Sequence, residues 1–115
     1  MESFFIEAYF DDKSYASGGI ALVHTSSAKP NRKRILVLHP GDHGSYSVDE
    51  FPQSDYAALK GCKKLHLTDA AWDAVVRYHR ARKGDSKKEE KAATNAVENA
   101  IGLDIIFKMQ LAGGF

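Results

Sequence analysis

The chain has 115 residues, 43% hydrophobic and 27% charged, with a net charge of +1, the profile of one globular domain whose core needs no disulfide or metal staples. No apolar run approaches the roughly 20 residues of a membrane span, the N-terminal MESFFIEAYF lacks the basic n-region of a signal peptide, and Cys62 is the lone cysteine, so neither a disulfide framework nor a cysteine zinc cluster is expected. A reducing, cytoplasmic setting suits such a chain.

Residues 4–10 set Phe4, Ile6, Ala8 and Phe10 on one face of a strand and Phe5 and Tyr9 on the other, so the strand is expected to be covered on both sides. The turn DDKSYAS leads through Gly18 and Gly19 to a second strand, residues 20–24. The loop TSSAKPN leads to a third, residues 32–38, with a buried apolar run at 35–38. Short polar connections predict an antiparallel meander. Beyond the Gly- and Pro-marked HPGDHGSYS, Ser47 and Glu50 are spaced as a capping box, and Pro52 restricts where that helix begins. Residues 53–61 read as a short helix that Gly61 ends.

The stretch KLHLTDAAWDAVV then changes period. Leu65 and Leu67 alternate with His66 and Thr68, after which Trp72, Val75, Val76 and His79 share one helical face. A strand therefore turns directly into a helix that ends near Gly84. Thr68 or Asp69 is either its N-cap or a functional residue at the strand end, where ligand sites of open α/β sheets gather. Trp72, heading the apolar face, reads as core. Ser86 and Glu89 form another capping box, opening a helix whose Ala93, Ala96, Val97, Ala100 and Ile101 make one stripe and which stops at Gly102. Leu103, Ile105, Phe107, Met109 and Leu111 alternate as a last strand. The order β-β-β-α-β-α-α-β predicts an α/β fold, a mixed five-stranded sheet with helices on its faces.

Charge is unevenly distributed. Residues 77–91 hold seven basic side chains against three acidic ones, a local +4 that leaves −3 for the rest of the chain. Such a projection either meets an anionic partner or is a solvated connection between helices. His39, Asp42 and His43 could ligate a metal, although the intervening Pro-Gly marks an ordinary turn.

This order of elements resembles the ribonuclease H family, over nearly the whole chain. Phe10-Asp11-Asp12-Lys13-Ser14 is similar to the family's aromatic and catalytic Asp-Gly-Ser after the first strand, with Lys13 in place of glycine. Gly18-Gly19 matches the entry to its second strand, and Thr68-Asp69 the end of its fourth. RYHRARKGDSKK resembles the basic projection of bacterial members. The resemblance implies hydrolysis of the RNA strand of an RNA–DNA hybrid by two Mg²⁺ or Mn²⁺ ions held about 4 Å apart by carboxylates. Asp12 would be shared between the metals, Asp69 would bind one, and Glu50 would be the third carboxylate unless its capping box gives it a structural task. Arg77, Arg80, Arg82, Lys83, Lys87 and Lys88 would grip the phosphates of the hybrid or of another duplex. The family's final helix, with its fourth acidic ligand, has no counterpart in the sequence. A second reading is therefore a catalytically lapsed binding or inhibitor protein of phage or plasmid accessory type, engaging nucleic acid or a protein that handles it.

Overall fold

The computed structural model describes residues 4–11, 19–40, 46–84 and 86–112. Five strands form one sheet in the order β4-β3-β2-β1-β5, where β1 is Phe4–Asp11, β2 Gly19–Ser26, β3 Lys29–Pro40, β4 Tyr46–Phe51 and β5 Lys63–Leu65. Between β4 and β5 lie a single 3-10 turn, Gln53–Asp55, and the one-turn helix α1, Tyr56–Leu59. Three longer helices follow, α2 Asp69–Lys83, α3 Lys87–Ile101 and α4 Leu103–Ala112.

The meander of the first three strands is present as expected, with longer strands. The sheet, however, is antiparallel throughout rather than mixed. The reason is one extra reversal. Residues 46–51, where Ser47 and Glu50 suggest a helix start, are a fourth strand paired along β3. Pro52 favours extended backbone in the residue before it, and Tyr46 and Val48 alternate toward the core. With β4 inserted, the crossover to the far edge delivers β5 antiparallel to β1.

The second difference lies at residues 103–111, which are helix α4 rather than a strand. The alternating reading leaves out Ile106. Ile106 and Met109, three residues apart, are the buried pair, while Leu103 and Phe107 face outward, 66% and 60% exposed. A segment so uniformly apolar satisfies both periods, and packing on the sheet and α3 selects the helical one. Gly102, at φ 98°, makes the turn between α3 and α4 in a conformation that β-carbon-bearing residues rarely adopt.

The capping signals are expressed in part. Ser86 is the N-cap of α3, its hydroxyl accepting the Glu89 N–H at 3.2 Å. Residue 68 is the N-cap position of α2, although the Thr68 side chain makes no capping bond.

One face of the sheet carries Ala8, Ile20, Leu22, Leu36 and Leu38 beneath the helices, which contribute Trp72, Val75, Tyr78, Val97, Ile106 and Met109. The other buries Tyr9, Ala21, Val23, Ile35 and Val37 with Leu59. The middle of strand β1, at Ala8 and Tyr9, is thus covered on both sides as its sequence predicts, whereas Phe4 and Phe5 at its start are half exposed. The buried face of α2 is turned from its periodic reading: Ala71, Ala74, Tyr78 and Ala81 are buried beside Trp72 and Val75, whereas Val76 and His79 are half-buried. Tyr78 Oη donates to the Tyr46 carbonyl at 2.8 Å and accepts the Tyr46 N–H at 3.0 Å, fastening the start of β4 to α2. Among the described residues no helix is long and apolar enough to cross a membrane.

Candidate functional site

The three expected carboxylates are differently placed. Asp12 lies outside the described residues. Glu50 sits on β4, where both its oxygens accept from Arg34, from Nη2 at 3.0 Å and from Nε at 3.1 Å. This charge-assisted pairing holds the Glu50 carboxyl below its ordinary range. Asp69 opens α2.

Convergence of the strand ends near Asp11 and Asp69 requires β1 and β5 to run parallel, and they run antiparallel. Phe10 pairs with Lys63 and Ala8 with Leu65, so the chain leaves β5 toward the Phe4 end of β1. The charge of Asp69 is felt by His24, whose strand partner is Ile6. Asp11 and Asp69 therefore stand toward opposite ends of the pair, and Glu50 occupies the opposite edge strand. Among the described residues no three His, Cys, Asp or Glu side chains are grouped to hold a metal ion. Of the other suggested ligands, His39 contacts Asp49 at 2.7 Å, and Asp42 and His43 lie outside the described residues.

The basic residues do come together. Arg77, Arg80, Arg82 and Lys83 are exposed along the second half of α2, and Lys87 and Lys88 along the first turn of α3. Two ion pairs tie the helices, Arg77 Nε to Glu89 at 2.9 Å and Arg82 Nη1 to Glu90 at 3.2 Å. Both are solvated, so they orient the side chains more than they stabilise the fold. Arg80 makes no ion pair among the described residues.

Beside this helix pair runs an open groove of about 660 Å³, lined among others by Arg34, Trp72, Asp73, Arg77, Arg80 and Glu89. Its floor is apolar, with Trp72 only 7% exposed. Arg34 brings β3 into the site, its guanidinium carbon 5.7 Å from the Trp72 ring centre, within cation–π range. It belongs to a run of exposed or half-exposed cations, Lys29, Arg32, Lys33 and Arg34, that no motif in the sequence singles out. The signal is present in the string KPNRKR, hidden because its first half reads as loop although all of it lies on β3.

Aromatic rings back the groove. Phe4 lies 4.6 Å from His24, and His24 stacks on Trp72 at 4.7 Å with 22° between planes. Burial, helped by Arg34, holds His24 below its usual pKa of 6.5 against the opposing pull of Asp69 and Asp73. His79 is lowered too, by burial and then Lys83 and Arg34, against Glu50 and Asp49. Both imidazoles bind protons more weakly folded than unfolded, so stability falls as the pH drops from about 6.5 through the folded-state values. The melting temperature is expected to decline across that window, and less so in His24→Phe, which keeps a ring without a titrating group. An equal decline in the variant would show that His24 titrates alike in both states.

Compared with protein-family models, with curated proteins and with solved structures, the chain matches none.

Proposed function

We propose that this protein binds nucleic acid through its phosphate backbone, along a basic band from the β2–β3 hairpin through Arg34 to α2 and the first turn of α3. The observation that carries this reading is the groove, where Arg34, Arg77 and Arg80 from two separate elements flank an apolar floor. Guanidinium groups suit phosphate because their planar forks match its oxygens. Asp73 and Glu89 line the same groove and limit how deeply a phosphate sits.

The reading is tested by reversing Arg80, Arg82, Lys87 and Lys88 to Glu, four exposed side chains whose loss leaves the core intact. Affinity for a labelled oligonucleotide should fall by at least about a hundredfold at low salt. The slope of log affinity against log salt should flatten by roughly 0.7–0.9 for each phosphate that the variant no longer neutralises. Unchanged affinity and slope would leave the band as a solvated connection and turn attention to a protein partner.

Metal-dependent hydrolysis is a separate arm of the experiment. The ribonuclease H-like reading of the sequence brings it in, and the antiparallel sheet lends it no support. Mg²⁺- or Mn²⁺-dependent cleavage of a hybrid duplex, abolished by Asp12→Asn, would restore the enzyme; binding without cleavage is the expected result.

A further inference from the structure

We infer that the strand bound is single and that one of its bases stacks on Phe4; this rests on the nucleic-acid reading above. Phe4, His24 and Trp72 form a column of rings spaced 4.6 and 4.7 Å apart, with the Arg34 cation beside its inner end. Of the inner members Trp72 is buried and His24 half-buried. The outer one is more open: Phe4 is 48% exposed, although it belongs to a strand whose middle is buried on both faces.

The space beside Phe4 has a structural cause. Strand β5 is only three residues long and pairs with Ala8, Tyr9 and Phe10, so among the described residues no strand covers the flank of β1 at Phe4. An exposed ring that continues a stack presents a π-surface, and any nucleobase offers one in return.

Cations stand where the sugar-phosphate chain of such a base would run. Phe4 pairs with Ser26 and Ser26 with Lys29, so the Lys29 backbone is about 10 Å from that of Phe4, two strand spacings across the sheet. Arg34 continues the same strand into the groove. Asp69 and Asp73, which act on His24 from the α2 side, disfavour phosphates there and direct the chain toward β3. On the reverse face Phe5, equally exposed, has the Lys33 ammonium 5.8 Å from its ring centre. Bases inside a duplex stack on each other and show only their edges, so a face-on contact selects an unpaired strand.

The test uses the full chain and three labelled probes of equal length: a single-stranded oligothymidine, the same strand made abasic, and the duplex. Wild type should bind the strand with bases about tenfold more tightly than the abasic one, and more tightly than the duplex. Phe4→Ala should lose that margin on the base-bearing strand and leave abasic binding unchanged. Phe4→Trp should keep it, and because Phe4 is half-exposed both variants should melt near wild type. Equal binding of abasic and base-bearing strands by wild type, or undiminished binding by Phe4→Ala, overturns the stacking site while the backbone reading stands. Preference for the duplex overturns it as well. If wild type binds none of the three probes, the nucleic-acid reading itself falls, and this inference with it.

Discussion

Replacing Tyr78 with phenylalanine is expected to destabilise the protein by about 2–4 kcal/mol, because one hydroxyl serves two buried backbone groups. It accepts the Tyr46 N–H and donates to the Tyr46 carbonyl, and both Tyr46 and Tyr78 are buried. Phenylalanine fills almost the same volume, so cavity formation contributes little and the loss reports the two orphaned groups. Against a typical total of about 5–15 kcal/mol this is a large fraction, and the melting temperature should drop by roughly 10–25 °C in a chain of this size. The damage should concentrate at β4, whose start is held to α2 by this bond, and amide exchange at Tyr46 to Phe51 should accelerate most. A drop of only a few degrees would mean that water or a shifted strand end satisfies the Tyr46 backbone. The Tyr46 phenol itself takes no part in this contact and is pushed up to about 12 by burial and then by Glu98.

Trp72→Ala should cost more, about 3–5 kcal/mol. The indole is the largest side chain under α2, and it touches three things at once: the core, His24 and Arg34. Its removal opens a cavity and also uncovers His24. With its cover gone, His24 should recover a nearly ordinary pKa, and its share of the melting-temperature decline below pH 6.5 should disappear. Trp72→Phe should recover most of the stability and part of the pH dependence. A variant that loses stability but keeps the full pH slope would show that His24 is held down by something other than the ring beneath it. Oligonucleotide affinity should fall in Trp72→Ala beyond the effect of partial unfolding, since Arg34 loses the surface against which it lies.

Where pattern and packing agree, the fold is legible residue by residue. The two faces of residues 4–10, the apolar run of residues 20–24, the Ser86 cap and the Gly102 stop are all local signals with one dominant solution. Ser47 and Glu50 mislead because a capping box is a four-residue pattern, and the strand around it is selected by Pro52 and by pairing with β3, twelve residues long. Residues 103–111 mislead for the opposite reason: they are apolar enough to suit either period, and only the position of Ile106 and Met109 against the sheet decides. The basic helical pair is visible as a charge imbalance. The aromatic column is not, because Phe4, His24 and Trp72 come from three elements far apart in sequence, and no spacing rule joins them. Arg34 is hidden similarly, as a strand residue that reaches the site only through the packing of α2 on the sheet.

An open sheet with two dissimilar margins is a potential polymerisation unit. Here β4 presents six residues with exposed Asp49 and Glu50, and β5 presents Lys63 and Lys64. Opposite charges on opposite margins favour head-to-tail addition of copies, which does not close and so grows into filaments. Strand β5 works against such growth by its length: three residues offer an incoming β4 only a few ladder hydrogen bonds, too little to offset the entropy of immobilising a whole molecule. Short, lysine-bearing margins are a common defence against edge-to-edge aggregation. The brevity of β5, which leaves the flank of β1 at Phe4 without a neighbouring strand among the described residues, thus also works against edge-to-edge addition of copies.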